Sequence, residues 1–291
     1  MGTNGKVSVG AGAAAGAVGA PDPEELVARS IERALAQQEP PGAVLLTGPP
    51  GAGKTSFASR LARRLGGARL VYHQLHSWCD DQELFCGVDV RAAVAGEAAH
   101  VRQPGVLAVA AAATADGLVV LLLDEVDKAT DRTEYLLLDF LETGRVPVRP
   151  GEHVLADRRR LVTVLTSNDT RPVSDALLRR VRRVRLSAMP QERLVAIVAD
   201  QLPDVPVGIV RMLARLACPL AEADAASLTV PELLALVQDC AYSARSHQEI
   251  RAFLAQWAAR GQQGADQAQR AQTAGVWAEI TQWRRRMGVT R

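Results

Sequence analysis

Apolar residues fall along this chain in two rhythms, and the change between them divides it. Up to about position 187, short apolar runs alternate with stretches in which apolar positions return every three or four residues. The runs 43–47, 118–123 and 161–166 predict strands, and 69–73 and 184–186 read as two more. Continuous apolar character suits strands of a parallel sheet covered on both faces. Helices are predicted at 21–38, 54–65, 90–99, 132–142 and 174–182. The first has Asp22 as its cap and Leu26, Ile31 and Leu35 along one side. After Pro190 the pattern is purely helical, with candidates at 191–201, 207–216, 230–244 and 248–259. The stretch 260–275 is polar, a linker or frayed helix; Val276, Ile280, Trp283 and Met287 then recur at helical spacing. The fold class expected is α/β with a parallel sheet flanked by helices, followed by a helical region. The expected organisation is a flexible tail at 1–20, an α/β core at 21–187, a helical unit at 188–260, and a linker with an amphipathic helix at 261–291.

Composition narrows the picture. Hydrophobic residues make up 48% of the 291 positions, enough for a real core, but aromatics only 4%, so Leu, Val and Ala must pack it. A net charge of +2 argues against a strongly basic nucleic-acid binder. The longest uncharged apolar stretch, 105–115, is well short of the ~18 residues that span a bilayer, so no membrane segment is expected. Lys6 before a small-residue run resembles a signal peptide only in outline, because glycines break the apolar part. Cys79, Cys86, Cys218 and Cys240 show no paired spacing and read as reduced thiols, which fits a cytoplasmic protein.

The candidate chemistry begins where the first strand ends. Gly48-Pro49-Pro50-Gly51-Ala52-Gly53-Lys54-Thr55 fits G-x-x-x-x-G-K-[ST] and lies between a strand and a helix, the context that motif needs. Its backbone N–H groups, continuing to Ser56, would cradle phosphates; Lys54 would neutralise them and the Thr55 hydroxyl would bind Mg²⁺. The strand 118–123 delivers Asp124 and Glu125 at its C-terminal end, where ligands sit in open α/β sheets. Asp124 would hold Mg²⁺, and Glu125 would polarise the attacking water as general base. Asn168 closes a further strand and could bond the γ-phosphate or orient that water; an Asn stabilising a turn is the plain alternative. Arg179, Arg180, Arg182, Arg183 and Arg185 are either a solvated helix end or hold an arginine finger for a neighbouring subunit. His73, Gln74 or His76 would lie near Glu125 and restrain it. His73, His76, Cys79 and Cys86 match no usual zinc-finger spacing, which argues against a metal there. The stripe Trp277, Ile280, Trp283 and Met287 beside 284–286 reads as packing on the protein's own helices, with partner docking the alternative.

With these motifs in place the chain resembles a AAA+ ATPase, and within that class the MoxR family. The resemblance rests on GPPGAGKT (48–55), LLLDEVDKA (121–129), LETGRV (141–146), VLTSND (164–169) and SDALLRRV (174–181), and on 72–96. It implies a P-loop AAA+ core with a C-terminal helical lid, and ATP bound between them with Mg²⁺. It also implies a homo-oligomeric ring, usually hexameric, that remodels protein partners, often ones carrying von Willebrand factor A domains. On this chain it makes Lys54 and Thr55 the Walker A residues, Asp124 and Glu125 Walker B, and Asn168 sensor 1. Arg180 best matches the arginine finger, and Arg179 is its neighbour. One departure concerns sensor 2: the stretch 227–233 has no arginine, so either Arg211 or Arg215 substitutes or lid closure is weakly coupled to the γ-phosphate, and sensor 2 stays unassigned.

Three functions compete on the sequence: an ATPase that remodels a protein partner, a nucleic-acid motor or loader, and a slow nucleotide-controlled switch. Near-neutral charge counts against the second. Glu125 and Asn168 favour hydrolysis over a pure switch.

Overall fold

A computed structural model describes residues 22–89, 91, 94–96, 102–149, 151–217, 228–258 and 266–288. The expected tail 1–20 and most of the expected helix 90–99 lie outside them.

Helix α1 (Pro23–Ala36) starts where Asp22 accepts a hydrogen bond from Glu24 N. Strand β1 (Ala43–Thr47), helix α2 (Lys54–Arg64) and strand β2 (Arg69–Gln74) follow. A single turn, α3 (Asp81–Leu84), leads to a small hairpin, β3 (Cys86–Val88) and β4 (Arg102–Pro104). Helix α4 (Val106–Ala113) precedes strand β5 (Val119–Asp124) and helix α5 (Asp131–Thr143). A second hairpin pairs β6 (Arg145–Arg149) with β7 (Glu152–Leu155), and β8 (Leu161–Ser167) follows. The short α6 (Asp175–Leu178) and β9 (Val181–Arg185) complete the sheet region.

Five strands form one parallel sheet in the order β2-β5-β8-β1-β9. Strand residues alternate between its two faces. Leu45, Leu121, Leu123 and Leu165 pack with α4 and α5, while Val44, Leu46, Leu122 and Val164 pack with α1 and α2. The three inner strands are buried at every position, so their apolar runs carry no alternation. Their C-terminal ends converge on one edge, and the chemistry gathers there.

Beyond β9 come α7 (Gln191–Gln201), α8 (Val207–Ala217), α9 (Val230–Gln238), α10 (His247–Ala258) and α11 (Asp266–Arg286). They share a separate apolar cluster that includes Leu213, Leu236, Leu254, Ile280 and Trp283. The C-terminal stripe therefore packs on the chain's own helices. Trp283 Nε1 also donates to Asp204 O at 2.8 Å, and only Met287 of the stripe faces solvent.

Several expectations need correcting. The helix expected at 174–182 stops at Leu178, and the strand begins at Val181 rather than Val184. The open edge of β1 takes the backbone of Val181–Arg185 into a ladder, an outlet for its N–H and C=O groups that outweighs local helix preference. Arg182, Arg183 and Arg185 are therefore exposed strand residues, not a helix end. Leu26 is exposed; the stripe that α1 buries is Val27, Ala28, Ile31 and Ala34. The polar stretch is helical from Asp266 onward, and the helix expected at 230–244 becomes a π-turn over Asp239–Ser243. Neither hairpin was expected, because their strands are short and half polar.

Candidate functional site

The turn between β1 and α2 is shaped by its glycines. Gly48 has φ 142°, and a Cβ there would stand 2.3 Å from Leu186 O, so the turn can pass the end of β9 only with glycine. Gly51 and Gly53 take left-handed angles of 78° and 88°. A Cβ on Gly51 would stand 2.7 Å from Thr229 Cγ2. That threonine caps α9 through a reciprocal pair of bonds with Glu232, which brings the helical region against the turn.

Lys54 opens α2 and is buried; its Nζ donates to Gly48 O at 2.7 Å and Pro49 O at 2.9 Å. Burial pushes its pKa below the usual lysine value, against the pull of Asp127 and Asp124. Thr55 Oγ1 donates to both oxygens of Asp124, at 3.0 and 3.1 Å. Thr166 Oγ1, from β8, also donates to Asp124 and accepts from Glu125 N at 2.9 Å. One threonine hydroxyl thus sets both acids.

Glu125 leaves the strand with φ 59° and ψ 49°, a left-handed conformation that non-glycine residues seldom adopt. Such strain persists where the surroundings impose it, and it concentrates at functional sites. Here three donors hold the carboxylate. Gln74 Nε2, at the end of β2, reaches Oε2 at 2.5 Å; Lys128 Nζ reaches the same oxygen at 2.8 Å; Asn168 Nδ2 reaches Oε1 at 3.4 Å. Burial alone would raise this carboxyl's pKa; the bonds from Lys128 and Gln74 outweigh it and hold the group below the usual carboxylate value. Of the three residues expected to restrain the glutamate, Gln74 is the one in contact.

Asp127, nearly buried, accepts from Asn168 N at 3.3 Å, Thr170 N at 3.1 Å and Thr170 Oγ1 at 2.5 Å. Burial would raise its pKa, but the bonds from Thr170 and Asn168 hold it low. It fixes the loop that carries Asn168.

Around these groups lies a cavity of about 320 Å³. Pro50, Gly51, Gly53, Lys54, Thr55 and Ser56 line one side, and Asp124, Glu125, Thr166 and Asn168 line the floor. Met189, Thr229, Val230 and Pro231 close it from the helical side. Gly48, Pro49 and Ala52 shape the turn without lining the cavity. Arg179 and Arg180 do not reach it either. Arg179 is exposed, and Arg180 pairs with Glu142 at 2.7 Å. Arg211 and Arg215 are exposed on α8, and no described arginine lines the cavity. Met189, Thr229, Lys128 and Asp127 were not anticipated. Lys128 carried a legible signal, three residues after Glu125 and one turn away.

The Thr55 hydroxyl and the Asp124 carboxylate are adjacent hard oxygens, one of them anionic. Mg²⁺ prefers such donors, so the site fits that ion.

A parallel sheet flanked by helices, with this phosphate-binding turn and acidic strand end and with helices C-terminal to it, is the AAA+ fold. Residues 43–181 match the family model described as the AAA domain, dynein-related subfamily. Among solved structures, a mutant of Thermotoga maritima RuvB aligns with TM-score 0.51 at 18% identity, over 75% of this chain and 60% of that one. A second mutant of the same protein aligns with TM-score 0.51 at 17% identity, over 89% and 69%. The chain thus spans about 60% of the first RuvB structure, and the likeness is one of fold. No curated protein matches. Among the described residues no helix is long and apolar enough to cross a membrane.

Proposed function

We propose that this chain is a MoxR-type AAA+ ATP hydrolase that couples turnover to remodelling or maturation of a protein partner, with a von Willebrand factor A domain protein as the candidate. The observation that carries the reading is the convergence on one cavity of Lys54, the Thr55–Asp124 pair, and a Glu125 gripped by Gln74, Lys128 and Asn168.

In this reading the turn 48–56 wraps the phosphates with N–H groups, and Lys54 exchanges its carbonyl partners for phosphate oxygens. Thr55 and Asp124 would hold Mg²⁺, which would supply positive charge against the phosphates. Glu125 takes a proton from the attacking water, and Asn168 orients that water or the γ-phosphate. Residues 21–187 act as the core and 188–260 as a lid over the nucleotide. A homo-oligomeric ring, hexameric by the family resemblance, brings Arg180 to the neighbouring subunit's site. Because Arg180 pairs with Glu142 in its own chain, it would exchange that partner on assembly. No described arginine lines the cavity, and Thr229 and Pro231 are the helical-side residues placed to meet the nucleotide.

Replacing Lys54 with Ala tests the assignment. The charge on the phosphates is lost, and a fluorescence titration with ATP should show binding abolished or severely weakened. Unchanged affinity would remove the turn from the site.

A further inference from the structure

Beside the nucleotide cavity, on the far end of β2, a second group of side chains meets. His73 is the last residue but one of that strand, and its Nε2 lies 3.5 Å from Cys79 Sγ and 3.6 Å from Glu83 Oε2. The ligand atoms of these three residues all lie within 4.8 Å of one another. His76 Nε2 stands 3.3 Å from the same Glu83 oxygen. Nitrogen and sulfur ligands on one tetrahedral zinc stand about 3.5 Å apart, and nitrogen and oxygen ligands about 3.3–3.4 Å, given bond lengths of about 2.0–2.3 Å. The spacing seen here is close to what a bound zinc imposes.

The backbone that carries these groups is pinned without help from an ion. Thr133 Oγ1, from α5, donates to Cys79 O at 2.8 Å, and Cys79 N donates to His76 O at 3.1 Å. Asp80 caps α3 by accepting from Gln82 N and Glu83 N at 2.9 and 3.1 Å. Gly105 packs so close behind α3 that a Cβ would stand 2.5 Å from Glu83 O. A turn whose backbone is already placed loses little backbone entropy on binding.

We propose that His73, Cys79 and Glu83 bind one zinc ion, with His76 turning in as the fourth ligand. One sulfur, one carboxylate oxygen and imidazole nitrogen form a borderline-soft set that suits zinc rather than the magnesium of the nucleotide cavity. On binding, His73 gives the lone pair of a neutral imidazole, and the Cys79 S–H bond breaks as the zinc–sulfur bond forms, its proton passing to solvent. The ion would clip the turn between β2 and α3, on which Trp78 stands 86% exposed between two of the ligands. Gln74, the next residue after His73, faces the other way, to Glu125. The clip and the glutamate's restraint thus share one strand end. The sequence hid the site because Glu83 belongs to it and Cys86 does not, giving H-x₂-H-x₂-C-x₃-E.

The full-length chain, reduced and stripped of metal by chelator, is titrated with Zn²⁺ against a chromophoric chelator and separately with Co²⁺. One equivalent of zinc should bind, and cobalt should show tetrahedral visible bands with a thiolate charge-transfer band. Glu83→Gln sits on an exposed turn and spares the core. It and His73→Ala should weaken binding by at least the ~10–100-fold that losing an outer-shell partner costs. Cys79→Ser, with folding checked by circular dichroism, should abolish the charge-transfer band. Cys86→Ser and Lys54→Ala should leave the site intact. Substoichiometric zinc, an octahedral cobalt spectrum, or a charge-transfer band that survives in Cys79→Ser would overturn the proposal.

Discussion

Glu125 concentrates the site's demands on a single residue. It accepts a left-handed backbone at the end of a buried strand, and its carboxylate is then fixed from three sides by Gln74, Lys128 and Asn168. Two of those donors, Lys128 and Gln74, hold its pKa down, while burial pushes it up. Removing Lys128 leaves the burial contribution less opposed, so the carboxyl should protonate at higher pH. In its proposed role as base the carboxylate must be charged to accept a proton, so activity is then lost sooner on acidification. Lys128→Ala should therefore move the acid limb of the kcat–pH profile upward. An unmoved limb would mean that Lys128 does not set the charge of this group. Asp124 and Thr166 make the complementary point. A single hydroxyl, bonded to the aspartate and to the glutamate's N–H, couples the two acids, and nothing in the sequence marked it.

At the scale of elements, α1 and α2 are joined across their outer faces by Arg64, which reaches Glu25 and Glu32 at 2.5 Å each. Hydrogen bonds from Arg64 are the largest cause that lowers both carboxyls, Glu25 from 4.5 to about 2. A depressed folded pKa stabilises above the unfolded value and is lost as pH falls through the folded one. The melting-temperature difference between the parent chain and Arg64→Ala should therefore hold above about pH 4.5 and shrink toward pH 2. A difference independent of pH would assign the effect to packing of the arginine stem instead. The same scale shows what the sequence could and could not disclose. Strands such as Ala43–Thr47 and Val119–Asp124 were legible because sheets buried on both faces need unbroken apolar runs. That Lys54, Thr55 and Asp124 would meet at one cavity was legible because such a turn and the acidic end of a neighbouring strand have fixed places in a parallel sheet; Asn168, which joins them there, was marked only by the end of its own strand. Strand β9 was legible only at its end, from Val184; its first half was not, because its arginines mimic a helix end and only the free edge of β1 decides otherwise. Thr229 and Met189 were not, because their place at the cavity depends on how the helical region docks on the turn.

At the scale of the whole molecule, the proposed ring makes each site depend on two subunits. Arg180 lies outside its own chain's cavity and is held at the end of α6 by Glu142 and by Ala176 O. An arginine supplied in trans to a developing γ-phosphoryl charge is worth ~10³–10⁵ in rate in other NTPases. Lys54→Ala and Arg180→Ala should each be inactive alone. Mixed under conditions of subunit exchange, they should regain partial turnover, because some interfaces then pair an intact turn with an intact arginine. A mixture that stays inactive despite proven exchange would remove the trans arginine, and a fully active Arg180→Ala would transfer the test to Arg179. The central claim, ATP hydrolysis at the acidic end of β5, meets its most direct test in Glu125→Gln. The substitution keeps the shape of the side chain but removes the proposed proton acceptor. ATP affinity should be retained while steady-state turnover falls by ~10²–10⁴. Turnover near the parent value, with nucleotide bound normally, would contradict the account.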